Sequence, residues 1–224
     1  MTLTKPLAGI KVLDMTRVLA GPYCTQMLFD LGAEVIKVEN PSHGDDSRLF
    51  QPFKENRSLY FESINGGKKS LTLNLKNPKA VEILKKLIAQ ADVLVENFRP
   101  GIMAKFGLDY ENAKKINPSL IYASISGFGQ DGPDALKPSY DILAQARGGI
   151  MSLTGAPDGD PMMIGVSFSD MNAGVFAVTA IMTALYQREK TKEGAYVDIS
   201  MLDCQVALLE SAMMRYQATK IPPK

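Results

Sequence analysis

The chain alternates short apolar runs with longer segments in which apolar residues recur at helical spacing. Short runs rich in β-branched residues predict strands, whereas apolar positions three and four apart predict helices. The predicted strands span 11–15, 34–39, 70–75, 92–97, 120–129 and 195–201. The predicted helices span 21–32, 77–91, a short segment from 99, the long apolar run 173–186, and an amphipathic tail from 203 to about 219.

This alternation of strands and helices predicts an α/β fold, in which a Rossmann-like, mostly parallel sheet carries helices on both faces. Ligands bind such sheets at the carboxyl ends of the strands. The loops that follow Asp14, Glu39, Asn97 and Gly127 are therefore expected to carry function. The polar, turn-rich stretch 40–58 is predicted to be one long loop of this kind.

The composition is that of an ordinary globular domain, with 224 residues of which 46% are hydrophobic and 22% charged. The net charge of +1 gives no general attraction to nucleic acid or to an anionic membrane, so neither is expected as a partner. The run 173–186 is shorter than the ~20 apolar residues of a membrane span. The N-terminal MTLTKPLAG lacks the apolar centre of a secretory signal, so a cytoplasmic location is expected.

The chain has few residues that bind zinc or act as a histidine base. Its single histidine, His43, lies in a turn-like stretch and is predicted to be exposed. Cys24 and Cys204 form no CxxC pair and are predicted to be free, buried thiols. A zinc site and a Ser-His-Asp or Cys-His centre are therefore disfavoured, and any chemistry must come from carboxylates, amides, lysines and the backbone.

Asp170 is the most informative carboxylate, because it lies in GVSFSDMNAG (165–174), just before the long apolar run. At the start of a helix the field of the backbone dipoles favours an anion. An anionic, partly desolvated carboxylate can attack an acyl carbon and form a covalent intermediate. Aspartate is also a common N-cap residue, and the motif alone favours that plain structural role.

The segment GFGQDG (127–132) matches the pattern GxGxxG but is not expected to bind a dinucleotide. That fingerprint opens a helix at once, within the first strand–helix–strand unit. Here Pro133, Asp134 and further turn residues follow, so a plain loop is predicted.

Six segments form a combination that is far more specific than any one of them. They are PLAGIKVLDMTRVLAGPYCTQMLFDLGAEVIKVENPSHGDDSR (6–48), KKSLTLNLKNP (68–78), ADVLVENFRPGIMAKFGLDY (91–110), NPSLIYASISGFGQDGP (117–133), YDILAQARGG (140–149) and GVSFSDMNAG (165–174). Together they resemble the class III CoA-transferases, the family that includes formyl-CoA transferase, carnitine CoA-transferase and the α-methylacyl-CoA racemases. The resemblance extends over nearly the whole chain and implies an enzyme that moves CoA between carboxylic acids.

The resemblance implies that Asp170 is the nucleophile. In the family a carboxylate attacks the thioester of an acyl-CoA and forms a mixed anhydride. The released thiolate then leaves an aspartyl-CoA thioester, and an incoming acid repeats the exchange in reverse. This exchange is nearly isoenergetic, so no metal and no tightly bound cofactor is expected. The implied partners are an acyl-CoA, with coenzyme A as part of the substrate, and a small carboxylic acid.

The resemblance also assigns residues to the CoA site, position by position. The matching positions are Val18, Leu19, Ala20, Asn40, Leu73, Lys76, Asn97, Phe98, Arg99, Lys105 and Lys137. Many family members carry arginine at the position of Lys105, and some carry it at the position of Asn40. Lysine keeps the positive charge but not the bidentate fork of arginine, and asparagine carries no charge for a phosphate. Without the resemblance, the lysines would be interpreted as solvated charges and Leu73 and Phe98 as core.

Position 140 separates two activities within the family. The racemases place a histidine before the aspartate of this motif, whereas this chain has Tyr140 followed by Asp141. A tyrosine with an ordinary pKa near ~10 is a poor base for an α-proton, which favours a transferase. Tyr140 and Asp141 are candidates to orient the acyl group or the nucleophile. The alternative is a half-buried aromatic and a helix cap.

The chain has about half the length of a typical member of the resembled family. Residues 1–200 are predicted to form the CoA-binding portion that bears the nucleophile, and 201–224 a tail helix and linker toward a second, smaller domain. The resemblance implies an interlocked homodimer for the full-length form. A racemase-type isomerase and a non-catalytic CoA-binding module are the alternatives to a transferase, and the donor and acceptor acids stay open.

Overall fold

The computed structural model describes residues 5–223, and its centre is a six-stranded sheet in which every pairing is parallel. The strands of this sheet are β1 (Lys11–Asp14), β2 (Glu34–Glu39), β5 (Lys69–Thr72), β6 (Val93–Glu96), β7 (Ile121–Ser126) and β8 (Ala195–Ser200). Between β2 and β5 lies a small antiparallel hairpin of β3 (Phe53–Lys54) and β4 (Arg57–Ser58).

The strand order is β5-β2-β1-β6-β7-β8, so the chain winds outward in one direction from β1 and then in the other direction from β6. This is the order of a doubly wound sheet, and the crevice at its switch point lies between the loops after β1 and β6. The predicted α/β fold with a Rossmann-like parallel sheet is confirmed.

Nine α-helices lie in the described part of the chain. They are α1 (Ala20–Asp30), α2 (Leu59–Asn65), α3 (Pro78–Ile88), α4 (Ile102–Lys105), α5 (Tyr110–Ile116), α6 (Asp141–Arg147), α7 (Phe168–Thr191), α8 (Met201–Val206) and α9 (Ser211–Thr219). Short 3-10 helices span Asp46–Leu49 and Ile150–Leu153.

Two apolar clusters occupy the two faces of the sheet, because successive strand residues point to opposite sides. The first cluster joins α1, α7 and α8 to one face, and includes Val12, Leu28, Val93, Ile121 and Ile181. The second joins α3 and α5 to the other face, and includes Leu13, Leu84, Leu94, Leu108 and Tyr122. Helices therefore cover both faces, as predicted from the alternation of elements.

The 24-residue helix α7 is long and apolar enough, by length and composition alone, to cross a membrane. The helix is longer than the apolar run 173–186 seen in the sequence, because it extends from Phe168 to Thr191. In the fold, α7 packs into the first cluster, where Ala173, Ala177 and Ile181 are fully buried. A single helix of this kind is weak evidence for a membrane span, since core helices meet the same test.

Gly174 lets the first turns of α7 approach α1 closely. A Cβ atom at this position would lie 3.0 Å from the carbonyl oxygen of Ala20 and 3.0 Å from Cδ1 of Tyr23. Because Gly174 has no side chain, the start of α7 can pack this close to the start of α1.

Two segments differ from their sequence predictions. The loop 40–58 contains a 3-10 helix and the β3–β4 hairpin, so it is more ordered than predicted. The prediction of a single tail helix is wrong. The helices α8 and α9 are separate, and Glu210 adopts a left-handed φ of 50° between them. Leu209 and Ala212 are buried beside this break, so tertiary packing overrides local helix propensity there.

Candidate active site

Two adjoining pockets open at the carboxyl ends of the strands, where the loops after β1, β2, β5, β6 and β7 meet. Arg17, Asp46 and Phe98 line both pockets, so the two form one continuous groove. We call them the Asp170 pocket and the Lys76 pocket, after the residue that distinguishes each. The four loops that the sequence singled out all contribute to this groove, and the loop after β5, which was not among them, contributes as well.

The Asp170 pocket brings together most of the predicted site residues. It is lined by Val18, Leu19, Ala20, Asn97, Phe98, Arg99, Lys137, Tyr140 and Asp170. Arg99 and Lys137 supply positive charge, although Nζ of Lys137 lies 2.5 Å from Asp134, which competes for it. Ser126, at the end of β7, lines the same pocket, and its buried hydroxyl has no hydrogen-bond partner among the described residues.

The Lys76 pocket is the more apolar of the two. Of the predicted residues it contains Asn40, Leu73, Lys76 and Phe98. Its other walls come from β2, α4 and the loops that follow β1, β5 and α4, with the side chains of Met15, Val38, Leu75, Ile102 and Phe106. An apolar slot with a lysine and a polar loop at its rim is suited to a flat ring that carries an anionic group.

Two predicted residues lie outside both pockets. Lys105 is exposed at the end of α4 and lines neither one. Asp141 lies beside Asp170 at the start of α6 and contacts the backbone of α7 instead of the groove.

Asp170 is the third residue of α7, so the interpretation of this side chain as the N-cap is wrong. The N-cap is Ser167, and its side chain makes no capping bond. Asp141 supplies the cap from another helix: its Oδ1 accepts the backbone N–H of Ser169 at 2.7 Å and that of Asp170 at 3.2 Å. The first turn of α7 is therefore capped by Asp141. The sequence analysis assigned Asp141 to the site but did not predict that it caps α7.

Burial, and then the charge of Asp141, raise the pKa of Asp170 to about 7. From the sequence, the helix field was expected to favour the anionic form of Asp170 and so to lower its pKa. This expectation is wrong, because the pKa is raised. Desolvation and a like charge both disfavour ionisation, and together they outweigh the helix dipole. At neutral pH the carboxyl group is thus divided between its acid and anionic forms.

Asp141 is itself held by Gln145, one turn further along α6. Nε2 of Gln145 donates to Oδ2 of Asp141 at 2.6 Å, and its Oε1 accepts the backbone N–H of Ile164 at 2.8 Å. Gln145 is fully buried. Sequence reasoning missed this residue, although a glutamine four positions after an aspartate on a helix is a recognisable signal.

The loop after β1 is held in an unusual conformation at the mouth of the groove. Val18 adopts a left-handed φ of 68°, which is rare for a β-branched residue and costs on the order of 1–3 kcal/mol. Its backbone N–H donates to Oδ1 of Asp45 at 3.1 Å. Asn97 bonds both backbone groups of Arg17, at 2.9 and 2.8 Å, so its amide fastens this loop to the loop after β6.

A buried network of charges lies beneath the same loop. Nζ of Lys37 is 2.8 Å from Asp45, and Nζ of Lys68 is 3.2 Å from Asp14; all four side chains are at most 1% exposed. Burial alone would raise the pKa of Asp14, but Lys37, Lys68 and two threonine hydroxyls lower it to about 2. The network ties the end of β1, through Asp14, to β2, through Lys37, beneath the groove.

The structure also places the histidine, the two cysteines and the segment 127–132. Within residues 5–223, no cluster of histidine, cysteine, aspartate and glutamate has the make-up of a metal site. His43 is exposed in its loop, and Cys24 and Cys204 are free and buried. The segment 127–132 opens no helix, which confirms the prediction of a plain loop.

A doubly wound parallel sheet with a groove at its switch point defines the class of α/β proteins that bind nucleotide-like ligands. Within that class the family is specific. Residues 7–224 match CoA-transferase family III, and the chain belongs to this family.

Relatives of known name support this assignment. The chain is 50% identical over 219 residues to an acetyl-CoA:oxalate CoA-transferase of Acetobacter aceti, covering 97% of this chain and 56% of the relative. It is 49% identical over 213 residues to a succinyl-CoA:glutarate CoA-transferase of Mus musculus, covering 95% of this chain and 49% of the relative. The chain thus spans about half the length of the curated relatives it matches.

A solved structure shows the same fold. The crystal structure of a CAIB/BAIF family protein from Brucella suis matches with a TM-score of 0.94 at 45% sequence identity, over 99% of this chain and 60% of that protein. The family and the fold that the sequence motifs predicted are both confirmed.

Proposed function

We propose that this chain is the CoA-binding, nucleophile-bearing portion of a CoA-transferase that acts through Asp170. The observation that carries the proposal is the position of Asp170: a carboxyl group with a pKa of about 7, at the start of a helix, on the wall of a groove. Once ionised, such a carboxylate is poorly solvated, and a poorly solvated carboxylate is a competent nucleophile. The names of the relatives make oxalate, glutarate and similar small acids the substrate class that we propose.

The reaction that we propose uses no group beyond the substrates. Oδ of Asp170 attacks the thioester carbonyl carbon, the C–S bond breaks, and CoA leaves as the thiolate. The thiolate then attacks the Asp170 carbonyl of the mixed anhydride and releases the donor acid as its carboxylate. The acceptor carboxylate attacks the aspartyl thioester, its C–S bond breaks, and the departing CoA thiolate leaves a second mixed anhydride. The thiolate finally attacks the acceptor acyl carbon, and the bond from that carbon to Oδ of Asp170 breaks. Charge balances at every step, and Asp170 returns to its anion.

The groove offers a place for each part of CoA. We assign the adenine end to the Lys76 pocket, whose walls Leu73 and Phe106 present apolar surface. We assign the pantetheine and thioester to the Asp170 pocket, which Phe98 joins to the first. Ser126, with its unpartnered hydroxyl, is positioned to donate a hydrogen bond to a ligand there.

The racemase alternative has less support. Such an enzyme needs a base at position 140, and Tyr140 is 71% exposed on the rim of the groove. The only histidine of the sequence, His43, lines the Lys76 pocket and not the Asp170 pocket. The homodimer, the cytoplasmic location and the reaction without a tightly bound cofactor are further parts of the proposal.

The proposal is tested by trapping the intermediate. The chain is incubated with succinyl-CoA or oxalyl-CoA and hydroxylamine, which converts an aspartyl thioester or anhydride into a hydroxamate. Mass spectrometry should locate this change at Asp170 in the natural chain and in Asp158→Asn, an exposed control, but not in Asp170→Asn.

Two other outcomes would contradict the transferase. Binding of CoA without any modification at Asp170 would favour a non-catalytic module. Uptake of deuterium at the α-carbon of 2-methylacyl-CoA, again without modification, would favour the isomerase.

A further inference from the structure

The residue beside the nucleophile, Ser169, makes a fully buried contact that sequence reasoning did not foresee. Its hydroxyl donates a short hydrogen bond to Oε1 of Gln205, and both side chains are 0% exposed. Gln205 lies on α8, far along the chain from α7. The contact therefore joins the first turn of α7 to α8. Gln205 itself does not line the groove.

The amide nitrogen of Gln205 completes the link. Its Nε2 donates to the carbonyl oxygens of Ala144 and Gln145, at 3.1 and 3.3 Å, near the end of α6. A Cβ atom at Gly148 would lie 2.1 Å from this nitrogen, so a glycine at that position leaves room for the amide. All the polar atoms of the Gln205 side chain are thus in use.

These bonds close a ring around the start of α7. Asp141, at the first turn of α6, bonds the N–H groups of Ser169 and Asp170. Gln205 bonds the last turn of the same helix and the side chain of Ser169. The first turn of α7 is consequently fixed from two directions, through its backbone and through a side chain adjacent to the nucleophile.

We propose that Gln205 is a positioning residue for Asp170, acting through Ser169. The proposal rests on the proposed function, because it assigns a residue to the same reaction. Attack on a thioester requires the carboxylate within about 3–3.5 Å of the acyl carbon, and a displacement of about 1 Å costs roughly 100-fold in rate. Gln205 holds the turn that carries this carboxylate without touching the substrate.

The experiment compares acylation of Asp170 by succinyl-CoA in the natural chain, Gln205→Met and Ser169→Ala. Both variants should lower the rate constant of acylation about 10–100-fold, and leave the concentration of succinyl-CoA for half-maximal rate within about 2-fold. The double variant should be no slower than the slower single one, because both changes break the same link.

Leu84→Ala is the matched control for general destabilisation. Leu84 is 0% exposed on the opposite face of the sheet, in the second apolar cluster. This variant should lose stability but keep the natural rate constant when rates are corrected for the folded fraction. If Gln205→Met and Ser169→Ala behave in the same way as Leu84→Ala, Gln205 has only a structural role and the proposal is overturned.

Hydrogen exchange separates this proposal from the proposed function. The backbone N–H groups of Ser169 and Asp170 should exchange faster in Gln205→Met, while the buried middle of α7 stays protected. If the natural chain is never acylated but this local change occurs, the transferase fails and the link between Gln205 and the first turn of α7 stands. Unchanged exchange in both variants overturns the link.

Discussion

Asp170 combines two properties that usually exclude each other: it lies at a helix start, where anions are stabilised, and it holds its proton up to about pH 7. Its neighbours explain the combination. Asp141 accepts the backbone N–H groups of Ser169 and Asp170, and it adds a like charge beside Asp170, which is itself largely removed from water. The reactive side chain is thus kept short of hydrogen bonds in its charged form.

Asp141→Asn should lower the pKa of Asp170, because it removes the like charge while its amide oxygen can still accept from α7. The rate of acylation requires the Asp170 anion, so it rises with pH through the pKa. We therefore expect the midpoint of the pH–rate profile to move from about 7 in the natural chain to a lower pH in the variant. A midpoint that stays in place would show that Asp141 contributes no charge effect.

Asp170→Asn should abolish acylation and raise stability at alkaline pH. The folded-state pKa of Asp170 lies at about 7, above its ordinary value of 3.8, so the folded natural chain loses stability as pH rises between those values. The neutral amide avoids that loss, which for a pKa raised from 3.8 to about 7 is on the order of 4 kcal/mol at most, and the Tm above pH 7 should rise accordingly. Thermal unfolding at pH 5 and pH 8 tests this: the gain should shrink at pH 5, and a gain independent of pH would contradict it.

For single residues, the sequence predicts the reactive residue but not its environment. Asp170 is recognisable from its motif and from the helix that follows. The contact of Ser169 with Gln205 joins two helices whose relative placement depends on the whole sheet. The pKa of Asp170 was wrongly anticipated for the same reason, since burial and the proximity of Asp141 are tertiary properties.

At the scale of elements, the packing of α7 on α1 decides where the nucleophile lies. Both helices start at the groove, and Gly174 lies where a Cβ atom would be only 3.0 Å from the backbone of α1. Because α7 is one continuous helix from Phe168 to Thr191, a shift at this contact must be transmitted to its first turn.

Gly174→Val should destabilise the fold by roughly 1–3 kcal/mol, because its side chain would overlap the backbone of α1. It should also lower the acylation rate of the molecules that do fold. Urea unfolding and hydroxamate trapping measure the two effects. Gly165→Ala is the control, since a Cβ there would meet nothing within 4 Å, and equal effects of the two substitutions would refute the role of this packing contact.

Elements with strong local signals were predictable, and elements that depend on packing were not. Strand β2 has the predicted bounds, and α3 begins at Pro78 after a capping Asn77. The interruption between α8 and α9 falls in a stretch of good helix formers, ALLE, so no local signal announces it. The helices α2 and α5, of seven residues each, were not predicted.

At the scale of the molecule, the buried charges beneath the groove are part of the core of the fold. Lys68 is 1% exposed and contacts Asp14, Thr25, Asn65 and the carbonyl oxygen of Pro22. Burial, the largest effect, lowers the pKa of Lys68, and Asp14 opposes that change. Each charge of such a network is tolerable only while its partners are present.

Lys68→Met should destabilise the chain by roughly 3–5 kcal/mol, because it leaves Asp14 buried with one cation fewer. The next residue is a natural control: Lys69 is 68% exposed and pairs with Glu34, so Lys69→Met should cost at most about 1 kcal/mol. Urea unfolding at pH 7 compares them.

The pH dependence gives a second check of this network. The folded-state pKa of Asp14, about 2, lies below its ordinary value of 3.8, so its contribution to stability is present above 3.8 and is lost as pH falls toward 2. The difference in free energy of unfolding between Lys68→Met and the natural chain should therefore become smaller as the pH falls below 3.8. A difference that is constant down to pH 3 would mean that Asp14 does not interact with Lys68 as described.

The overall architecture was the most predictable level of all. Alternating strands and helices define the sheet, and the combined motifs define the family. What no local pattern gave is the division of the groove into two pockets, because Arg17, Asp46 and Phe98 meet only when three loops are assembled.

The strand order also has a consequence for how the chain is made. Strand β7 is buried along its whole length, and it pairs with β8 from Ile121 opposite Ala195 onward, with α6 and α7 lying between them in the chain. Contacts between residues so distant form late, since a long loop must close before they are gained. During synthesis on the ribosome, the backbone edge of β7 that pairs with β8 therefore stays open to wrong partners until β8 has emerged.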